Sequence, residues 1–81
     1  AMKLNHLRDV VGIAESGSVH AATRRLGIAQ PLLTRNLGNL ERELGGKLFE
    51  RRRRGMVATS LGILVIDGAH KILSEVELLS T

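Results

Sequence analysis

Between Ala29 and Leu44 the sequence AQPLLTRNLGNLEREL gathers side chains that can read a nucleic acid. Gln30, Leu32, Thr34 and Arg35 place an amide, a branched apolar group, a hydroxyl and a guanidinium close together. Arginine and glutamine can hydrogen-bond guanine and adenine edges bidentately in the major groove, and apolar contacts suit the thymine methyl. Arg51, Arg52, Arg53 and Arg54 form a second group, four guanidiniums in succession, suited to neutralising phosphates. If residues 29–44 wind into a helix, Leu33, Leu37, Leu40 and Leu44 recur at the i, i+4, i+7, i+11 spacing of one buried face. The outward row is then Pro31, Arg35, Gly38, Asn39 and Arg42. It holds no long apolar side chain, and Gly38 leaves room for a surface to come close. A solvated surface helix also has a polar, basic outer face, so the surrounding elements decide the reading.

Those elements follow from the residues on either side. Leu4, Leu7, Val11 and Ala14, flanked by Val10 and Ile13, give a helical stripe from Leu4 to Ser16, and Gly17 suits the left-handed residue that ends it. Ser18 suits an N-cap opening a short second helix through Val19, Ala22 and Leu26, which Gly27 closes. Pro31 falls in the first turn of the third helix, where a missing N–H costs nothing. Gly45–Gly46 ends that helix. Two helices joined through a short glycine-containing turn to a third make the helix-turn-helix pattern. Leu48–Arg51 and Met56–Val57–Ala58 then read as brief strands around the basic turn Arg52–Gly55, a β-hairpin wing. Thr59 can cap a long last helix from Ser60 to about Leu79.

The composition fits a binding domain better than a catalytic one. The chain has 81 residues, Phe49 is its only aromatic residue, and it has no cysteine. Its single core must therefore be aliphatic, and disulfide frameworks and Cys-based zinc sites are excluded. Up to Ser60 there are eleven Lys and Arg against five Asp and Glu; beyond it, one against three. A basic body joined to a mildly acidic tail implies that the body meets a polyanion and the tail meets something else. No apolar run approaches the roughly 18–20 residues that span a bilayer and no leader is apparent, so a cytoplasmic location is expected.

The last helix is apolar over a wide arc. Leu61, Val65, Ala69, Ile72, Val76 and Leu79 form one stripe, broadened on one side by Ile66 and Leu73. So small a body is not expected to bury all of this arc within its own chain. A partner helix is the natural cover, most simply in a two-fold homodimer.

Other chemistries lack their patterns. His6, His20 and His70 lack metal-ligand spacing, and Ser18 and Thr59 have no His and acid in a triad-like arrangement. Gly45–Gly46 fits neither a P-loop nor a dinucleotide fingerprint. Glu41 and Glu43, two apart on a helix, face different ways. Glu50 reads as an ion-pair partner for the adjacent arginines. No catalytic residue, metal or cofactor is expected. A membrane-surface role would want arginines on one helical face opposite bulky apolar groups, whereas these lie in a turn.

Taken in order, Leu4-x-x-Leu7-Arg8, Ala14-Glu15-x-Gly17-Ser18, Ala22-x-x-x-Leu26, Gln30-Pro31-x-Leu33-x-Arg35, Leu40-Glu41-x-Glu43-Leu44-Gly45, Leu48-Phe49-Glu50-Arg51 and Thr59-x-x-Gly62 form an ordered set. With these signatures the chain resembles the N-terminal DNA-binding domain of LysR-type transcriptional regulators, from Met2 almost to its end. The resemblance implies a mainly α fold: a winged helix-turn-helix with a small two-stranded wing (residues 1–59) and a long C-terminal linker helix for dimerisation (residues 60–81). It implies sequence-specific binding to a double-stranded DNA operator, with the recognition helix in the major groove. The contacting positions would be Gln30, Pro31, Leu32, Thr34 and Arg35, to which Asn39 on the outward row is added. Wing arginines among Arg52, Arg53 and Arg54 would reach the minor groove or phosphates. The expected homodimer seam comprises Leu61, Val65, Ile66, Ala69, Ile72, Leu73 and Val76. A small-molecule effector would act only through a sensing domain that these residues do not include. The alternative is a winged-helix module used for protein–protein assembly, which would present an apolar patch in place of Arg35, Arg42 and the wing.

The chain also departs from the family pattern. Asp9 and Val10 stand where an aromatic pair is usual, and Val19 replaces a usual Phe, which implies a looser core. Ala29 replaces a common capping Ser at a cost of about 1 kcal/mol. Ala21 is often basic in relatives, so a phosphate contact is lost that the four-arginine wing can offset.

Overall fold

The computed structural model describes all residues from Ala1 to Thr81. Its elements in order are α1 (Leu4–Ser16), α2 (Val19–Leu26), α3 (Gln30–Leu44), β1 (Phe49–Arg52), β2 (Gly55–Ala58) and α4 (Ser60–Ser80). Gly17, Gly27 and Gly45 end the first three helices in the left-handed conformation. Ser18 caps α2 by accepting a hydrogen bond from the Ala21 N–H at 3.0 Å. The strands pair antiparallel, Phe49 opposite Ala58 and Arg52 opposite Gly55, so the hairpin turns at Arg53–Arg54. The strand spans are shifted by about one residue from those read in the sequence.

The core is aliphatic apart from one ring: Val10, Ile13, Ala22, Leu33, Leu37, Leu40, Leu48 and Phe49. Leu33, Leu37 and Leu40 are buried as their spacing predicts, while Leu44 is half-buried at the helix end. In α1 the buried apolar side chains are Leu7, Val10 and Ile13, with Asp9 and Gly12 buried beside them, whereas Leu4 is 40% exposed and Val11 half-buried. The stripe is thus rotated from the Leu4–Leu7–Val11–Ala14 register. Because α2, α3 and α4 all pack on α1, its inward face is set by three neighbours at once.

The body covers part of the α4 stripe and, as expected, not all of it. Gly62 and Ala69, seven residues apart on one face, are the two buried positions of α4. Such small residues bring the helix axis close, and Leu61, Val65 and Ile66 then reach the core of the same chain. A Cβ at Gly62 would stand 1.9 Å from the Leu48 carbonyl oxygen, so only glycine fits there. What α4 leaves uncovered is its opposite edge and its end: Leu64 is 69% exposed, Ile72 45% and Leu79 88%. No helix of the chain is long and apolar enough to cross a membrane.

Candidate nucleic-acid interface

Helix α3 begins without a side-chain cap. Ala29 is extended, and its carbonyl accepts the Leu32 and Leu33 N–H groups at 3.1 Å each. Pro31 in the first turn removes one donor that would otherwise point outward unpaired. From this start Gln30, Pro31, Leu32, Thr34, Arg35, Asn39 and Arg42 are all exposed, forming one continuous outer ridge. The Arg42 guanidinium donates to the Asn39 side-chain oxygen and lies over Gly38, 3.6 Å from where a Cβ there would be. Arg42, absent from the contact set read in the sequence, is therefore grouped with Asn39 by direct contact.

The wing stands beside the start of this ridge. Strand alternation puts Arg51 on the same side of β1 as the buried Phe49, facing α3, with Arg52 on the opposite side beside Glu50. Gln30 and Thr34 line a groove with Arg51 and Met56, and the groove continues past Gln30 to Arg52 and Arg53. The fold thus brings the first turn of α3 and the wing arginines to one surface, and adds Arg51 to it. Arg51, read in the sequence with Arg52 to Arg54 as a run suited to phosphates, lies two residues after Phe49 in a strand, hence on the same side.

Charge is distributed unequally over the wing. Arg52 pairs with Glu50 at 2.7 Å, both exposed, as the sequence led us to expect for Glu50. No carboxylate lies within ion-pairing distance of Arg35, Arg51, Arg53 or Arg54. Their charge is uncompensated, which is the state a phosphate or base acceptor requires.

Hydrogen bonds hold the wing to the body, one of them from α3. The Glu41 carboxylate of α3 accepts the Leu48 N–H at 2.8 Å, with Lys47 at 3.7 Å. The Met56 N–H donates to the Gly17 carbonyl at 3.0 Å, tying the hairpin to the turn between α1 and α2. At Gly55 φ is +123°, and a Cβ there would come within 2.6 Å of the same carbonyl oxygen. Thr59 completes the frame: its hydroxyl donates to the Lys47 carbonyl at 2.6 Å and accepts the Gly62 N–H at 3.0 Å.

Behind the ridge lies a polar contact that the sequence reading passed over. Asp9 of α1 is only 6% exposed, and its Oδ2 accepts from the Asn36 Nδ2 of α3 at 3.1 Å. Burial pushes its carboxyl pKa above the ordinary 3.8, against the opposing influence of the Asn36 hydrogen bond and nearby His6. Asp9 was read only as an absent aromatic.

The residues read as a dimer seam divide. Ala69 is 1% exposed within its own chain, and Leu61, Val65 and Ile66 pack on the core. Leu73 and Val76 are half-buried in a groove shared with Arg8. Of the set, Ile72 is the one exposed residue, on the edge that carries Leu64 and Gly68. No three His, Asp or Glu side chains converge to hold a metal ion.

Residues 4–63 match the family model described as bacterial regulatory helix-turn-helix protein, lysR family. The chain is similar to the small neutral protease regulatory protein of Streptomyces coelicolor, with 44% identity over 78 residues, 96% of this chain and 24% of that protein. It is 41% identical over 76 residues to the HTH-type transcriptional regulator TfdT of Cupriavidus pinatubonensis, covering 94% of this chain and 33% of that one. The chain thus spans about a quarter to a third of the length of these curated relatives. Among solved structures, the BenM DBD in complex with benA site 1 DNA superposes with a TM-score of 0.91 at 42% identity, covering 98% of this chain and 92% of that one. CbnR, a LysR family transcriptional regulator, gives 0.92 at 34% identity, over 98% of this chain and 27% of that one.

Proposed function

The chain belongs to the lysR family of bacterial regulatory helix-turn-helix proteins, and from that premise we propose how its surface reads DNA. It is a sequence-specific DNA-binding domain of a transcriptional regulator, not an enzyme. In our reading residues 1–59 form the DNA-binding body and residues 60–81 the linker helix. Helix α3 enters the major groove, where Gln30, Pro31, Leu32, Thr34, Arg35 and Asn39 meet base edges and adjacent phosphates. Arg51, Arg53 and Arg54 neutralise phosphates beside it, with Arg52 weakened in this role by Glu50. The observation that carries the reading is the uncompensated Arg35 on an exposed ridge, with a wing of uncompensated arginines tied beside it. An assembly module is not favoured, because the ridge is charged where a docking face would be apolar.

The partner of α4 is a second copy of the chain. Its seam runs along Leu64, Gly68, Ile72 and Leu79, with Leu61, Val65 and Ile66, which also pack on the core, at the margin, and Ala69 buried within its own chain. The two recognition helices of such a dimer meet half-sites about one duplex turn, or a multiple of it, apart. The parent regulator acts in the cytoplasm, where its DNA is, and an effector would bind through a further domain.

The test is selection of duplexes from a randomised pool, followed by affinities for the selected site and its single-base variants. Arg35→Ala should cost about 1–3 kcal/mol and relax preference at one or two base pairs. Uniform loss over all variants would make Arg35 a phosphate contact, and a chain that enriches no sequence would end the DNA-reading proposal.

A further inference from the structure

Asp9 is the one charged side chain the fold buries. A carboxylate removed from water is costly unless it is well bonded, and here its one side-chain hydrogen bond comes from Asn36. The location gives the contact its meaning. Helix α3 rests on the body through Leu33, Leu37 and Leu40, apolar contacts that are non-directional. At its far end the Glu41 carboxylate holds the Leu48 N–H, which leaves Asn36 as the directional contact to the body nearest the reading residues. Asn36 lies at the flank of that apolar face, four residues after Leu32 and three before Asn39. It is therefore their neighbour on the helix surface. On the other side, Asp9 adjoins Val10, which is fully buried in the core. The Asp9–Asn36 bond thus joins the flank of the recognition helix to a fixed point of α1.

We propose that this bond sets the roll of α3 about its own axis, and with it the choice of bases made by Leu32, Arg35 and Asn39. The proposal rests on the DNA-reading function above and names a positioning pair for it. Side chains extend about 5–6 Å from a helix axis, so a 10° roll carries a contact atom about 1 Å. Recognition geometry must hold to about 0.5 Å, so such a roll removes base discrimination. Phosphate contact survives it, because guanidiniums on flexible stems still find the backbone, which positions without specifying. Asp9 and Asn36 therefore govern selectivity and leave general affinity for duplex unchanged.

The experiment uses the selected duplex, its single-base variants and poly(dI-dC) as a non-specific duplex, with folding checked by far-UV circular dichroism. Asp9→Leu removes the acceptor, and Asn36→Ala removes the donor by truncating only a half-buried side chain. Asp9→Asn keeps an acceptor without charge. For Asp9→Leu and Asn36→Ala, discrimination at the base pairs that wild type reads through Leu32 and Arg35 should fall about tenfold. Affinity for poly(dI-dC) and its salt slope should stay within twofold. Asp9→Asn should retain discrimination within twofold, and Asp9→Leu combined with Asn36→Ala should be no worse than the poorer single variant. If Asp9→Leu does not fold, Asn36→Ala decides the matter against Asp9→Asn. A folded Asn36→Ala protein with wild-type discrimination would overturn the proposal, as would an Asp9→Asn protein no better than Asp9→Leu. A wild-type chain that selects no sequence would instead overturn the DNA-reading function itself, and the two failures are distinguishable.

Discussion

Two glycines of the same helix should respond to alanine in opposite directions. In a helix interior Gly→Ala ordinarily gains about 1 kcal/mol. At Gly62 the new Cβ would stand 1.9 Å from the Leu48 carbonyl oxygen and 2.9 Å from its carbon. Real contacts hardly go below 3.0 Å, so about 1 Å of backbone must move, and neither neighbour is a flexible side-chain tip. Overpacking of this kind costs about 1–3 kcal/mol. The same movement pulls on the Thr59–Gly62 cap at 3.0 Å and the Thr59 N–H bond to the Leu48 carbonyl at 3.0 Å, and losing a cap costs about 0.5–2 kcal/mol more. After subtracting the helix gain, Gly62→Ala should lose about 0.5–4 kcal/mol. For a chain of 81 residues that lowers Tm by roughly 2–30 °C. At Gly68 nothing lies within 4 Å of the added carbon, so the gain of up to about 1 kcal/mol stands and Tm rises by about 3–7 °C. Urea and thermal unfolding, at dilution where the chain is monomeric, give both numbers. A Gly62→Ala protein as stable as wild type, or more stable, would refute the close apposition of α4 to Leu48, and a destabilised monomeric Gly68→Ala would refute the open face assigned to that position.

Other perturbations test the site and its frame. Replacing Arg53 and Arg54 by Ala should lower affinity for all duplexes and flatten the log–log salt slope by about 0.9 per lost contact. Arg52→Ala should do less because Glu50 already occupies that guanidinium; an unchanged slope for the double variant would mean the wing points into solvent. Burial raises the folded-state pKa of Asp9 above 3.8, so folding favours the protonated form and the ionised form costs stability above the folded pKa. That cost fades as pH falls through the folded pKa, so Asp9→Asn should be the more stable protein at pH 7 and lose its advantage on acidification. A gap in urea midpoints that widens towards low pH would contradict this sign. On α4, Leu64→Glu alters a residue 69% exposed and should give a folded monomer in sedimentation equilibrium, whereas Ala69→Glu, placed at 1% exposure, should not fold. A Leu64→Glu protein that stays dimeric would remove Leu64 from the seam.

The features legible in the sequence share one property: a local pattern decides them. The helix ends at Gly17, Gly27 and Gly45, the cap at Ser18, and the buried row Leu33, Leu37, Leu40 follow from spacing and backbone preference within one element. What escaped depends on where a second element lies. For α4 the apolar arc was too wide to say which side met the body, since Leu61, Leu64, Val65, Ile66, Ile72 and Leu73 surround more than half of it. The deciding residues were the small ones, Gly62 and Ala69, which the apolar count treats as weak and which the packing treats as the point of closest approach. Asp9 escaped for the complementary reason. A charged residue is assigned to solvent unless its partner is known, and Asn36 is 27 positions away on another helix. Arg42 and Arg51 fall between these cases: periodicity gave each a face, but only the hairpin register and the Arg42–Asn39 contact placed that face beside the recognition surface. The ridge proposed to meet DNA can thus be read from α3 alone, while α3 is tied to α1 through Asp9 and to the segment before the wing through Glu41, and the wing to the α1–α2 turn through Gly17. Two chains could carry the same ridge residues and still differ in site preference if those supports differ.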